Sequence, residues 1–147
     1  MLLFLAHFRS RLAQGLVPNY LTHKNAPPGS NINNLTYSRK LEHAAQKIAD
    51  TCRFPAQPSD VGQNFAMVSS SLASTSIQAI VHAVQLWWRE IKRIGIRGDM
   101  LFTQDLSNSP SAPRNFTQMA WASITQVGCG IERCENGYFV VCHYNPR

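Results

Sequence analysis

Three segments of the chain repeat apolar residues at the three-and-four spacing of an amphipathic helix. These segments span residues 1–14, 37–52 and 77–93. Pro18, Pro55 and Gly95 follow them, and residues of these two types end or interrupt helices. Ser76 precedes the third segment and is predicted to be its N-cap. The pattern therefore predicts three main helices.

The last third of the chain has a different pattern. Two apolar runs, near Val127–Ile131 and Tyr138–Tyr144, flank an Asn-Gly pair, which predicts an antiparallel hairpin. Residues 114–121 are predicted to form a short helix, because Pro113 suits a first helical turn. Three segments are rich in proline and polar residues and are predicted to be loops: residues 18–35, the stretch from Pro55 through Gly62, and residues 103–113. Helices around a small antiparallel sheet indicate the α+β class.

The four cysteines favour disulfides over a metal site. They lack the CxxC pairs of a zinc site, and an even number is typical of disulfide-bonded chains. Their positions are Cys52, Cys129, Cys134 and Cys142.

The geometry of the hairpin bears on how the cysteines pair. A three-residue loop centred near Glu135 and Asn136 places Cys129 opposite Cys142. A strict two-residue turn at the Asn-Gly pair instead places Cys129 opposite Tyr144. Three connectivities remain open from the sequence. We favour Cys129–Cys142, which leaves Cys52–Cys134.

Length and charge narrow the function classes. The chain has 147 residues, 44% hydrophobic and 15% charged, which is typical of one folded domain. The net charge is +6, but the basic residues are scattered, so no nucleic-acid patch is expected. The apolar run Leu2–Ala6 is too short for a membrane span or a standard signal peptide. Because the cysteines favour secretion, we expect that the numbering begins after a removed signal peptide and that the protein is extracellular.

Several segments, in order along the chain, carry a family resemblance. They are FLAHFRSRLAQG at 4–15, LTYSRKLEHAAQKIADTC at 35–52, GQNFAM at 62–67, AVQLWWREI at 83–91, NFTQMAW at 115–121, VGCG at 127–130 and FVVCHYNP at 139–146. They resemble the CAP superfamily of cysteine-rich secretory, antigen 5 and pathogenesis-related 1 proteins, and most closely the venom-allergen-like proteins of parasitic worms. The resemblance implies one CAP domain over residues 1–147. It also implies a three-layer α-β-α sandwich with a small central antiparallel sheet.

The resemblance also implies a cleft with two histidines and two acidic residues, which holds zinc in many members. Glu90 matches one acid, Gln63 takes the place of the other, and Asn115 takes the place of one histidine. Gln57 falls nearest to the second histidine. Amide oxygens are poor zinc ligands and do not titrate, so we expect no metal, no cofactor and no acid–base catalysis here. We expect instead that Gln63 and Asn115 donate hydrogen bonds to Glu90.

Two N-x-T sequons are present. Asn34 lies in a predicted surface loop and is a possible glycosylation site. Asn115 is expected to be too enclosed for a glycan.

The family implies a secreted, non-enzymatic binding protein whose partners are lipids, either sterols or fatty acids, or host proteins. The loop at 103–113 is a candidate contact segment for a lipid. The alternatives are a hydrolase that uses the cleft, which the missing histidines disfavour, and a protein ligand of host receptors. His43, His82 and His143 are assigned no role.

Overall fold

The computed structural model describes all 147 residues. Six helices form from these residues: α1 (Leu2–Ala13), α2 (Arg39–Ala49), α3 (Ser76–Trp88), α4 (Glu90–Arg93), α5 (Gln104–Asn108) and α6 (Arg114–Ala120). Six strands complete the fold: β1 (Pro18–Asn19), β2 (Lys24–Asn25), β3 (Thr36–Tyr37), β4 (Gly62–Ser69), β5 (Gln126–Cys134) and β6 (Gly137–Asn145). None of the helices combines the length and the apolar composition that a membrane crossing requires.

The main sheet has four strands in the order β3-β5-β6-β4. The long pairs, β4 with β6 and β5 with β6, are antiparallel, and the two-residue strand β3 adds a parallel edge. Helix α2 packs against β5 and β6 on one face, while α3 and α6 cover the other face. This arrangement is the three-layer α-β-α sandwich that the family resemblance implies.

Glycines on β5 let α2 approach the sheet. Gly128 and Gly130 are two residues apart, so both face the same side of the strand. A Cβ atom on Gly128 would overlap the backbone of Glu42, and one on Gly130 would overlap the backbone of Gln46. The VGCG segment therefore places two glycines under α2 and directs Cys129 to the opposite face.

The predicted helices form with shifted bounds. Helix α2 begins after Ser38, whose Oγ accepts a hydrogen bond from the Leu41 amide. Thr75 caps α3 in place of the predicted Ser76, which is the first residue of the helix. The single helix predicted over residues 77–93 divides at Arg89 into α3 and α4. The structure also forms the short helix α5 within the predicted loop at 103–113.

Strand β4 is absent from the sequence prediction, which treats its first residue as the end of a loop. Its partner across the whole length is β6. The polar residues Gln63 and Asn64 obscure the apolar alternation, yet both side chains are buried. The reason is that each side chain finds hydrogen-bond partners on its own face of the sheet, as described below.

Two disulfides join the cysteines in the favoured pairing, Cys52–Cys134 and Cys129–Cys142. Cys129 lies directly opposite Cys142 in the hairpin register, and Cys134 lies opposite Gly137. The turn therefore consists of Glu135 and Asn136 alone. The disulfide from Cys52 ties the end of the α2 segment to the end of β5.

Candidate functional site

The carboxylate of Glu90 connects α4 to the start of α6. Its Oε1 accepts a hydrogen bond of 2.7 Å from Asn115 Nδ2, and its Oε2 accepts one of 2.9 Å from the Phe116 amide. The residue that precedes α6 is Pro113, which offers no side-chain cap. A helix start leaves free amide groups that an oxygen can satisfy, and a negative charge there is favourable. Glu90 is therefore the cap of α6, supplied from a different helix.

Burial raises the pKa of the Glu90 carboxyl. The hydrogen bonds from the Phe116 amide and from Asn115 act in the opposite direction, because they favour the charged form. No basic side chain lies within ion-pair distance of this carboxylate, and the one ion pair in the structure joins Arg97 to Asp99. Glu90 is thus a half-buried acid that is stabilised mainly by neutral donors, with a smaller favourable effect of the positive charge on Arg114.

Gln63 lies on the other face of the sheet. Its Nε2 donates to the Ala56 carbonyl at 3.2 Å, and its Oε1 lies 2.9 Å from His143 Nε2. Neighbouring strand residues point to opposite faces, so Asn64 reaches the helix face that Gln63 cannot. Asn64 Nδ2 donates to the Asn115 carbonyl at 3.1 Å. The expected hydrogen bond from Gln63 to Glu90 is therefore not made.

His143 is the partner of Gln63, and the sequence assigned it no role. Because the Gln63 amide nitrogen is occupied by Ala56, the Gln63 oxygen faces the ring and requires the proton on His143 Nε2. The ring is 4% exposed, and its Nδ1 has no hydrogen-bond partner. Burial lowers the His143 pKa, against an opposing effect of Asp60. Only the strand register, in which Gln63 and His143 are directly opposite, could have revealed this pair.

Gln57 belongs to the same side of the molecule as His143. Both residues line a cavity of about 1160 Å³ beside α2, and the Gln57 side chain is exposed. The four positions carried over from the resemblance therefore divide into two pairs. Glu90 and Asn115 meet at α6, whereas Gln63 and Gln57 border the α2 face.

The donors around Glu90 do not suit a zinc ion. Zinc sites use three or four histidine, cysteine or carboxylate ligands, and no cluster of three or more such residues is present. The nearest polar side chain, Asn115, already donates its amide hydrogen to the carboxylate. A carboxylate flanked by N–H donors is arranged to accept hydrogen bonds and lacks the other ligands of a metal.

The two sequons differ in exposure. Asn34 is exposed, whereas Asn115 is half-buried and its side-chain nitrogen is engaged by Glu90. Glycosylation at Asn34 stays a prediction.

A separate apolar cavity of about 830 Å³ lies between the end of α1, the 27–33 loop, the 96–102 segment and the end of α6. Its apolar lining includes Leu12, Ile32, Ile96, Met100, Phe102, Phe116 and Trp121. The predicted contact loop at 103–113 does not line this cavity. The sequence could not identify these residues, because they come from four distant segments.

Comparison with known proteins finds relatives whose similarity extends over nearly the whole chain. The chain is 31% identical to the Ancylostoma secreted protein of Ancylostoma caninum, over 95% of this chain and 34% of the relative. It is 32% identical to venom allergen 5 of Polybia scutellaris rioplatensis, over 95% of this chain and 68% of the relative. The chain thus spans only about a third of the length of the Ancylostoma protein.

Solved structures share the fold. Na-ASP-1 superposes with a TM-score of 0.88 at 29% identity, over 99% of this chain and 37% of that one. NaASP2, solved with Zn²⁺, gives a TM-score of 0.90 at 27% identity, over 99% of this chain and 76% of that one. The family model for the cysteine-rich secretory protein family, CAP, matches residues 5–144. The chain therefore belongs to the CAP family.

Proposed function

We propose that this CAP domain is an extracellular, non-enzymatic binding protein for an apolar ligand such as a fatty acid or a sterol. The observation that carries this proposal is the cavity of about 830 Å³ with a largely apolar lining. Ligand pockets in proteins usually have volumes of about 300–1,000 Å³ and apolar walls. Each methylene group that an acyl chain buries there contributes about 0.8 kcal/mol.

Hydrogen bonds of Arg9 hold the walls of this cavity together. The buried guanidinium of Arg9 donates to the carbonyls of Met119, Trp121 and Asn33 at 2.8–2.9 Å. These hydrogen bonds join α1 to the end of α6 and to the loop on the other side of the cavity. A preformed cavity loses less entropy when it binds a ligand.

An extracellular location is supported by the two disulfides, which form and persist in oxidising compartments. One relative is itself named as a secreted protein. Host proteins remain a proposed class of partner on the same ground of relatedness.

A non-enzymatic role is supported by the chemistry near Glu90. The relative NaASP2 is solved with Zn²⁺, but in this chain Glu90 is surrounded by neutral hydrogen-bond donors. Glu90 is the one titratable residue among the four positions carried over from the resemblance. Gln63 stands where the family has its second acid, and its amide does not titrate. A hydrolase at this cleft would have Glu90 as its one acid–base group, and both oxygens of that carboxylate already accept hydrogen bonds from α6.

Tryptophan fluorescence tests ligand binding directly. Trp121 lines the cavity and is 43% exposed, whereas Trp87 and Trp88 are 1% and 4% exposed. Dibrominated stearate and dibrominated cholesterol are expected to quench Trp121 saturably if the cavity accepts a fatty acid or a sterol, respectively. Ala120→Phe places a ring in the cavity and should weaken binding by roughly tenfold, about 1.4 kcal/mol.

The matched control is Ala6→Phe, at an exposed position of α1 outside the cavity. Trp121→Phe should remove most of the quenching signal. Absence of saturable quenching by both lipids, or equal quenching in the Ala120→Phe variant, would rule out the cavity as the binding site.

A further inference from the structure

The cavity of about 1160 Å³ beside α2 is a groove with two different walls. One wall is α2, and the other is the 53–61 loop, which belongs to the connection between α2 and β4. The disulfide at Cys52 fixes the start of this loop. We call this feature the α2 groove. The charged residues that line it are Lys40, Lys47, Arg53 and Asp60.

The basic residues of the α2 groove are not neutralised by the protein. Lys40, Lys47 and Arg53 are exposed, and none of them forms an ion pair. Asp60 is the one acidic residue in the lining, so the groove carries a net positive charge. A concave surface lined by charge of one sign attracts ligands of the opposite sign. The α2 groove is therefore suited to an anionic ligand.

The spacing of the basic residues indicates an extended ligand with several charges. Lys40 and Lys47 lie on the side of α2 that lines the groove, and Ala44, between them, lines it too. Seven residues of helix separate the two lysines by about 10 Å along the axis. Arg53 follows the end of α2 and extends the row. A chain with repeated anionic groups can meet all three residues, whereas a single sulfate or phosphate ion would leave part of the row unpaired.

Neutral groups accompany these charges in the groove. Gln57 is exposed, and Gln126 Oε1 accepts a hydrogen bond of 3.2 Å from Asn145 Nδ2, so the Gln126 amide nitrogen can donate to a ligand. The His143 ring also borders the groove, and its Nδ1 is an acceptor without a partner. The exposed ring of Phe54 adds an apolar surface. Amides that bind hydroxyl groups, together with a ring on which C–H groups can pack, indicate a sugar.

We propose that the α2 groove binds a sulfated oligosaccharide. Its sulfate groups pair with Lys40, Lys47 and Arg53 through charge-assisted hydrogen bonds, and its hydroxyl groups hydrogen-bond with Gln57 and Gln126. The lining of the α2 groove shares no residue with the proposed lipid cavity. Either proposal can therefore fail without the other.

The walls of the α2 groove disfavour two other anionic polymers. Peptides are often recognised through main-chain hydrogen bonds, but the backbone of α2 is bonded within the helix, and Pro55 and Pro58 in the facing loop have no N–H group. Single-stranded nucleic acids stack successive bases on several aromatic side chains. Phe54 is the one exposed aromatic ring that borders the groove.

Isothermal titration with a heparin-derived hexasaccharide tests the proposal, and the same hexasaccharide without its sulfate groups is the control ligand. We expect saturable one-to-one binding of the sulfated ligand at low ionic strength, with a Kd on the order of 10 μM. The desulfated ligand should bind at least about tenfold more weakly, because it cannot pair with the cations. Equal binding of the two ligands, or no saturable binding of either, would overturn the proposal.

Variants separate the groove from the overall charge of the protein. The double variant Lys40→Gln/Lys47→Gln should weaken the sulfated hexasaccharide by at least about tenfold. The matched control Lys24→Gln/Lys92→Gln removes two exposed lysines outside the groove and leaves the same net charge, so its Kd should change by less than about twofold. Asp60→Asn should strengthen binding by about threefold, because it removes the acid from the lining. Equal losses in the two double variants would overturn the assignment to the α2 groove.

Two further polyanions decide the class of ligand. Oligoglutamate and oligothymidylate, each matched to the hexasaccharide in total negative charge, should bind at least about threefold more weakly in the same buffer, because they lack sugar hydroxyls beside their charges. Equal or tighter binding of oligoglutamate would overturn the proposal in favour of an acidic peptide. Equal or tighter binding of oligothymidylate would overturn it in favour of a nucleic acid.

Discussion

Replacing Gly130 with alanine is expected to lower the free energy of unfolding by more than about 3 kcal/mol. The added Cβ atom would overlap the backbone of Gln46 in α2. Backbone cannot rotate away as a side chain can, so α2 must move off the sheet. That movement would open the contact between α2 and the buried strand residues Phe139 and Val141. Urea unfolding followed by circular dichroism measures the change.

The matched control for this substitution is Gly98→Ala. A Cβ atom on Gly98 meets only the methyl group of Thr22, at 3.6 Å, which is an ordinary contact. The control should change stability by less than about 1 kcal/mol, and it can be stabilising because alanine restricts the unfolded chain. Equal effects of the two substitutions would contradict the close approach of α2 to β5.

Removing the Cys52–Cys134 disulfide by a double substitution to alanine is expected to cost about 4.5 kcal/mol. The two cysteines are separated by 82 residues in sequence, so the bond closes a long loop and removes much entropy from the unfolded chain. The loss should also release the segment that carries Phe54. Calorimetric unfolding of the variant, compared with the unreduced protein, measures the cost.

The control for the disulfide replaces two exposed neighbours, Arg53 and Glu135, with alanine. Neither side chain forms a cross-link, so the control is expected to stay within about 0.5 kcal/mol of the parent. A loss of less than about 1 kcal/mol in the disulfide variant would show that the bond does not limit the unfolded chain as argued.

The sequence predicted the elements whose pattern is strong and local. Helix α2 has apolar residues on one face and charged residues on the other, and it ends before Pro55. This local pattern was enough to predict the helix without reference to the rest of the chain. The hairpin of β5 and β6 was predicted from an Asn-Gly pair between two apolar runs. Its exact register decided which cysteines face each other. That register follows from a two-residue turn at Glu135 and Asn136, which is neither the three-residue loop nor the Asn-Gly turn that the sequence analysis considered.

Strand β4 and the arrangement of the site depended on contacts between distant segments. Gln63 and Asn64 are polar and adjacent, so they suggest a loop, yet each is buried by a partner far away in the sequence. The family resemblance assigned Gln63 to the same cleft as Glu90, but it could not show on which face of the strand this chain directs the side chain. His143 was assigned no role because its partner, Gln63, is determined by strand pairing alone.

The role of Glu90 links these observations. The resemblance places Glu90 and Asn115 in one cleft, and in the structure Asn115 donates a hydrogen bond to Glu90. What the sequence could not show is that the same carboxylate also accepts the Phe116 amide and so caps α6. Pro113 at the N-cap position offers no side-chain oxygen, so Glu90 from another helix supplies the cap. The hydrogen bonds of this cap use the carboxylate oxygens that a metal would need.

Calorimetric titration of the metal-free protein with Zn²⁺ tests most directly whether Glu90 is a helix cap without a metal. We expect no one-to-one binding with a micromolar Kd, because the carboxylate is held by N–H donors and lacks further ligands. The Glu90→Gln variant should then give the same isotherm as the parent. Stoichiometric micromolar binding that is lost in Glu90→Gln and retained in Glu135→Gln would contradict this account.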